Sequence, residues 1–136
     1  MVATKTNSYF YGLGRRKRST AQVKLQSGKG SISINGISAD DYFDLSKHLT
    51  SLLAQPFTVL DLEASKFDIN AKVTGGGHTG QVEAIRLGIA KALAVMNEDY
   101  KSTLRRADLL GRDSRERERK KFGLRGARKQ RQFTKR

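Results

Sequence analysis

Apolar residues become scarce after Gly111, and this break limits what the chain can fold into. The stretch RDSRERERKK (112–121) offers no apolar face, and the residues after it contain only four scattered apolar side chains. A segment that buries so little apolar surface cannot offset the conformational entropy lost on folding. We therefore predict a globular domain over residues 1–110 and an extended basic tail over residues 111–136.

The positive charge of the chain is concentrated in two places. The net charge is +14, and residues 101–136 hold 15 Lys and Arg against four acids, which gives +11. Residues 1–100 contribute the remaining +3, although the run RRKR at 15–18 alone supplies +4. The rest of the domain is therefore close to neutral. Such segregation is typical of a protein whose partner is rich in phosphate.

The composition excludes several classes of protein. The chain has no cysteine, which removes disulfides and thiolate metal sites. It has no apolar run of about 18 residues, and its first twelve residues lack an apolar stretch of signal-peptide length. We therefore expect a soluble protein that is not exported and has no membrane partner. The two histidines have no metal-ligand spacing, so neither a metal nor a cofactor is expected.

Alternating polar and apolar residues predict four strands. The runs are SYFYG (8–12), TAQVKL (20–25), SISI (31–34) and KFDINAKV (66–73). The second and third are separated only by a turn-forming SGKG sequence, so we expect them to form a hairpin.

Helical patterns occupy much of the remaining domain. We predict helices from the N-cap Ser38 to Phe43, from Lys47 to Gln55 with Pro56 ending it, from Thr79 to near Asn97, and around Leu104 up to Gly111. The third is the clearest, since its apolar residues recur at steps of three or four. Strands and helices that each have one apolar face can bury those faces by packing as two layers. The predicted fold class is therefore two-layer α/β, of the α+β kind, with about four strands, helices on one face and the tail.

The loop GGGHTG (75–80) joins a predicted strand to the N-terminus of the main helix. Exposed amides and the helix dipole make such a position a natural anion site. One interpretation is a phosphate-binding loop, or an oxyanion hole with His78 as base, although the loop lacks the Gly-Lys-Ser/Thr ending of a Walker loop. The alternative is a tight turn in which glycines permit close packing. We predict that Gly76, Gly77 and His78 contact RNA phosphate.

Two basic motifs complete the set of candidate residues. In GRRKRST (14–20), adjacent cations repel one another unless phosphates neutralise them, although a solvated patch or a targeting signal is an alternative. The tail combines arginine forks, which bind phosphate in bidentate fashion, with glycine; its alternative is a solubilising end. The predicted nucleic-acid contacts are Arg15, Arg16, Lys17, Arg18, Arg112, Arg115, Arg117, Arg119, Lys120, Lys121, Arg125, Arg128, Lys129 and Arg131.

Four motifs in order resemble one known family. YGLGRRKRSTAQVKL, GKGSISING, VTGGGHTGQVEAIRLGIAKAL and LLGRDSRERERKKFGLRGARKQRQFTKR are similar to the bacterial and organellar form of the S-nine family of small-subunit ribosomal proteins. The resemblance covers nearly the whole chain from about Tyr9. It implies a globular domain like the second domain of ribosomal protein S-five.

The resemblance also implies a function. Members of this family are structural components of the head of the small ribosomal subunit, where they bind the 3′ major domain of the ribosomal RNA beside neighbouring head proteins. Their tail runs through RNA to the peptidyl (P) site, where a terminal Lys-Arg approaches the anticodon stem-loop of transfer RNA. In this chain the matching residues are Lys135 and Arg136. The implied location is a cytoplasmic ribosome, or an organellar one.

Two other functions are compatible with parts of the sequence. A small nucleotide-dependent enzyme would use the GGGHTG loop and would lose activity on mutation of Gly76 or His78. A free-standing nucleic-acid chaperone would bind many RNAs in a salt-sensitive way without residing in a particle. The four motifs together favour the non-enzymatic ribosomal protein.

Overall fold

The structure is a computed structural model and describes residues 8–135 of the chain. Within this range five strands and four helices follow one another, with a single 3₁₀ turn at Ala64–Lys66. The elements are β1 (Phe10–Arg16), β2 (Ser19–Ser27), β3 (Ile32–Ile34), β4 (Ile37–Ser38), α1 (Ala39–Tyr42), α2 (Lys47–Val59), β5 (Phe67–Thr74), α3 (His78–Met96) and α4 (Asp99–Arg106).

The five strands form one sheet in the order β1-β2-β5-β3-β4. The β3–β5 pair is parallel and the other neighbours are antiparallel. The predicted hairpin between 20–25 and 31–34 is wrong, because β5 lies between β2 and β3. Alternation of apolar residues defines the buried face of a strand but does not specify which strand pairs with it. The fifth strand, β4, has only two residues and was not predicted.

The hydrophobic core lies between one face of the sheet and the helices. Alternate residues of β2 and β5 are buried, as predicted: Ala21, Val23, Leu25, Ile69, Ala71 and Val73. Helix α3 packs on β1 and β2, and helices α2 and α4 pack against α3. This two-layer arrangement confirms the predicted fold class.

Glycines allow β1 and α3 to approach closely. A Cβ atom at Gly12 would overlap the carbonyl oxygen of Gly88, and one at Gly14 would overlap the carbonyl oxygen of Ala84. The approach brings the main chain of β1 against that of the helix, so no side chain fits between them. The end of β1, which carries the first basic motif, is thereby held beside the first turns of α3.

The shorter helices partly follow the predicted boundaries. Ser38 caps α1 by accepting a hydrogen bond from the amide of Asp41 at 3.4 Å, as expected. The predicted end of α2 at Gln55 is wrong, because the helix continues to Val59 with Pro56 inside it. A proline within a helix costs about 3 kcal/mol. Burial of Pro56 and of Phe57, whose ring stacks on Phe67 with centroids 5.4 Å apart, offsets that cost.

Candidate nucleic-acid interface

The run RRKR at 15–18 does not form one continuous basic patch. Arg15 and Arg16 are consecutive residues of β1, so their side chains lie on opposite faces of the sheet. Arg15 lies on the face away from the helices, whereas Arg16 lies on the face that α3 covers. Lys17, with a φ of 52°, and Arg18 form the turn into β2. The turn thus presents cations in three directions.

The guanidinium of Arg16 binds protein groups. Its Nε donates to Oε2 of Glu83 at 2.5 Å, and its Nη1 donates to the carbonyl oxygen of Arg115 at 2.7 Å. Its Nη2 also lies 3.4 Å from Oδ2 of Asp113, and only 12% of the side chain is exposed. Arg16 therefore links α3 to the beginning of the tail. An RNA contact by Arg16 stays a prediction.

Asp113 stabilises the same junction from the tail side. The side chain of Arg115 donates to its carboxylate at 2.7 Å, and the amide of Arg115 donates at 2.9 Å. These two hydrogen bonds hold the pKa of Asp113 well below its usual range. Sequence reasoning missed Asp113 and Glu83 as partners of Arg16. Their separation along the chain leaves no local pattern that could have identified them.

The glycine loop is held by side chains of its neighbours. The carbonyl oxygen of Gly75 accepts hydrogen bonds from Oγ of Ser19 and from Nε2 of Gln81, each at 3.0 Å. Gly75 and Gly76 have φ values of +74° and +67°, and a Cβ atom at Gly76 would overlap Oγ of Ser19. Gly75 and Gly76 therefore have the packing role that was one of the two interpretations, whereas a Cβ atom at Gly77 would meet nothing within 4 Å. A contact of the loop with RNA phosphate stays a prediction.

His78 is the first residue of α3, and its ring lies beside aromatic side chains. The ring centroids of Tyr42 and Phe43 are each 5.7 Å from that of His78. The N-cap is Gly77, and no side chain within the described residues caps the helix. The first-turn amides therefore have no side-chain acceptor within the described residues, and binding of an anion there stays a prediction.

A cleft of about 720 Å³ brings the three motifs together. Its lining includes the turn between β1 and β2, the glycine loop and tail residues 116–120 and 125–127. The basic side chains are Lys17, Arg18, Arg117, Arg119, Lys120 and Arg125, and the acidic ones are Glu116 and Glu118. The lining therefore carries six basic and two acidic side chains. Because the excess of positive side chains around the cleft is self-repulsive, the cleft favours binding of a polyanion.

The two acids of the cleft are already paired with cations. Glu116 lies 3.9 Å from Nε of Arg18, and Glu118 binds Lys121 at 2.6 Å and Arg128 at 3.1 Å. Within residues 8–135, the other five cations of the lining have no carboxylate within 4.0 Å. Their charge is available to an external anion.

The remaining predicted contacts lie elsewhere on the tail. Arg112, Arg131 and Lys135 are exposed and do not line the cleft. Residues 124–130 form a closed loop, in which the amide of Arg125 donates to the carbonyl oxygen of Lys129 at 2.9 Å. Arg136, predicted to contact transfer RNA, lies outside the described residues.

Among residues 8–135, no group of three or more His, Asp or Glu side chains is arranged to hold a metal ion. In that range no helix is both long and apolar enough to cross a membrane.

Comparisons with known proteins agree on one family. The family model described as Ribosomal protein S9/S16 matches residues 14–136. The chain is 54% identical over 124 residues to small ribosomal subunit protein uS9 of Cytophaga hutchinsonii, covering 91% of this chain and 95% of that protein. It is 54% identical over 127 residues to uS9 of Mycoplasmoides gallisepticum, covering 93% and 96%.

A third relative comes from an alga. The chain is 46% identical over 132 residues to small ribosomal subunit protein uS9c of Pyropia yezoensis, covering 97% of this chain and 96% of that protein. The matches therefore span the globular domain, the glycine loop and the tail together. The chain belongs to the ribosomal protein S9/S16 family, as a uS9-type protein of the small ribosomal subunit.

Proposed function

We propose that this protein binds small-subunit ribosomal RNA through the cleft between the β1–β2 turn, the glycine loop and the tail. The observation that carries the proposal is the meeting of three basic or amide-rich motifs around one cavity of about 720 Å³. The family assignment supports RNA as the polyanion.

The chemistry of the cleft suits a folded RNA backbone. Amides at the start of α3 can donate hydrogen bonds to one phosphate, while guanidinium groups of the tail bind the adjacent phosphates. Five of the six cations in the lining have no carboxylate partner in the described chain, so phosphates can replace their solvent counterions. Release of those counterions supplies affinity that falls as salt rises.

We also propose that the RNA is the 3′ major domain and that the protein lies in the subunit head beside other head proteins. Sedimentation of a cell extract through a high-salt gradient tests this. The protein is expected to migrate with small subunits, and crosslinks are expected to fall in the 3′ major domain. Recovery at the top of the gradient, bound to mixed RNAs, would favour a free-standing chaperone instead.

The end of the tail is proposed to contact transfer RNA in the P site. Lys135 is exposed, and Arg136 follows it directly. The support is the basic ending, which matches the ending implied by the family resemblance. A charge-assisted hydrogen bond contributes about 1.5 to 3 kcal/mol, which tunes the retention of transfer RNA without creating it.

Deletion of Lys135 and Arg136 is expected to weaken P-site binding by about tenfold to a hundredfold. The physical reason is loss of one or two charge-assisted contacts to the anticodon stem-loop. The measurement is the dissociation rate of transfer RNA from purified subunits that carry the shortened protein. Assembly, measured by sedimentation, is expected to be unchanged.

A charge-matched control separates this contact from a general loss of positive charge. Lys91→Gln with Lys101→Gln removes two cations from exposed positions on the helices. That double variant is expected to retain transfer RNA like the wild type. Equal dissociation rates for the deletion and the wild type would refute the P-site contact while leaving the ribosomal RNA proposal intact.

A further inference from the structure

The outer face of the sheet carries aromatic and basic side chains that the cleft does not use. On this face lie Tyr9, the residue before β1, and Tyr11 and Arg15 of β1. The pairing register places Lys24 opposite Tyr11, and Lys72 opposite Gln22 on the same face. We call Tyr9, Tyr11, Arg15, Lys24 and Lys72 the outer sheet face.

Both tyrosine rings are open to solvent. Tyr9 is 51% exposed and Tyr11 is 45% exposed, although aromatic side chains are usually buried in a domain core. They are two residues apart along one face, so they are separated by about 6.7 Å along the strand. This spacing lets neighbouring nucleotides of an extended strand each reach one ring.

Three cations share this face with the two rings and have no neutralising partners in the described chain. The Nζ atom of Lys24 lies 5.0 Å from the centre of the Tyr9 ring, within the range of a cation–π interaction. Arg15, Lys24 and Lys72 have no carboxylate within 4.0 Å in the part of the chain that the structure describes. A phosphate beside a base stacked on either ring would therefore meet a free cation.

One acidic residue lies on this face, and one of its two carboxylate oxygens accepts hydrogen bonds from a neighbouring loop. Asp68 is the one acidic residue at the outward positions of β1, β2 and β5, all within the described chain. Its Oδ1 atom accepts hydrogen bonds from the amides of Lys29, Gly30 and Ser31 at 2.9 to 3.1 Å. The carboxylate therefore organises the loop after β2, at the end of the sheet remote from Arg15.

We propose that the outer sheet face is a second RNA-binding surface, which stacks the bases of an unpaired RNA segment on Tyr9 and Tyr11. The proposal rests on the proposed RNA-binding function but uses residues on the opposite side of the sheet from α3. Exposed aromatic rings flanked by unpaired cations are the features that single-stranded nucleic acid recognises. A protein partner for this face is the alternative that the test distinguishes.

Tyrosine fluorescence offers a direct test, because the chain has four tyrosines and no tryptophan. The other two, Tyr42 and Tyr100, are partly buried against the core. Titration of the full chain with oligouridine of about 15 nucleotides is expected to quench the emission as bases stack. In Tyr9→Phe with Tyr11→Phe, binding measured by anisotropy is expected to persist while the quenching is lost.

Substitutions on the face are expected to separate stacking from charge. Tyr9→Thr with Tyr11→Thr keeps the preference for a strand and is expected to weaken oligouridine binding roughly tenfold per ring. Lys24→Gln with Lys72→Gln is expected to lower the slope of log affinity against log salt by about 0.7 per contact. The control Lys91→Gln with Lys101→Gln removes the same charge from the helices and is expected to leave the slope unchanged.

The outcomes distinguish this inference from the proposed function. If oligouridine binds the wild type without quenching the tyrosine emission, and binds the threonine variant with equal affinity, all of the RNA is in the cleft. That result would overturn the second RNA-binding surface and leave the proposed function intact. Absence of any RNA binding by the wild type would overturn both proposals. Normal RNA binding by the threonine variant, together with poor incorporation into small subunits, would assign the face to a protein partner and overturn the RNA assignment.

Discussion

Ending the chain after Arg115 is expected to abolish most of the affinity for ribosomal RNA. The deletion removes residues 116–136, which hold ten Lys and Arg against two acids, and takes the net charge from +14 to +6. If about six of those cations contact phosphate, the slope of log affinity against log salt becomes less negative by about 4 to 5. At moderate salt the affinity is expected to fall by about three orders of magnitude or more.

The position of the truncation makes the experiment interpretable. It retains Asp113 and Arg115, so the contacts of Arg16 at the junction are preserved. The buried apolar core ends at Leu109, so thermal unfolding is expected to be nearly unchanged. The measurement is filter binding to the 3′ major domain RNA at several salt concentrations. An unchanged salt slope would assign RNA binding to the globular domain and refute the role of the tail in the cleft.

The tail forms few main-chain hydrogen bonds with the rest of the protein or with itself. Within residues 111–135 only a few amides donate to protein groups, among them those of Arg115, Leu124 and Arg125. That residues 111–136 form a separate basic tail stays a prediction, which was made from the lack of an apolar face and is supported by this scarcity.

The family resemblance was visible in the sequence because its motifs extend along the whole chain. The comparisons confirm that resemblance, the assignment to the small ribosomal subunit and the prediction that the protein is not an enzyme. The glycine loop illustrates why the enzyme interpretation was weaker. Gly76 packs against Ser19, and His78 lies beside two aromatic rings.

Local periodicity predicted the elements better than their arrangement. The alternation in β2 and β5 and the helical spacing in α3 identified the core faces, because side-chain direction repeats with a fixed period. The order of the strands was not encoded in that pattern, so β5 was not expected between β2 and β3. Likewise, Pro56 ends a helix in isolation but is retained here because burial of Phe57 favours the continued helix.

The cleft was predictable in its residues but not in its shape. Charge density identified the cations of the turn and the tail, since segregated positive charge is typical of a protein with a phosphate-rich partner. The geometry depends on contacts between distant parts of the chain, above all that of Arg16 with the carbonyl oxygen of Arg115. Arg16 also shows that one member of a basic run can bind protein groups, while Arg15 and Lys17 beside it have no carboxylate within 4.0 Å in the described chain.

Replacing Gly14 with alanine is expected to destabilise the domain by about 3 kcal/mol or more, because overpacking against a rigid backbone cannot relax. A Cβ atom there would overlap the carbonyl oxygen of Ala84 and lie 2.7 Å from the amide nitrogen of Gly88. To admit the methyl group, β1 must move away from α3 and disturb a packed interface. A loss of this size lowers the Tm by about 12 to 24 °C in a domain of about 100 residues.

The matched control for this substitution is Gly111→Ala. A Cβ atom at Gly111 meets nothing within 4 Å, so the free energy of unfolding is expected to change by less than about 0.5 kcal/mol. Urea unfolding of both variants gives the comparison, and a large loss confined to Gly14→Ala confirms that contact with the helix backbone is the cause. Strand β1 positions Arg16 beside Glu83 and Tyr11 on the outer sheet face. Displacement of β1 from α3 is therefore expected to weaken RNA binding both in the cleft and on the outer sheet face. Equal stability of the two variants would mean that β1 and α3 are not packed main chain against main chain.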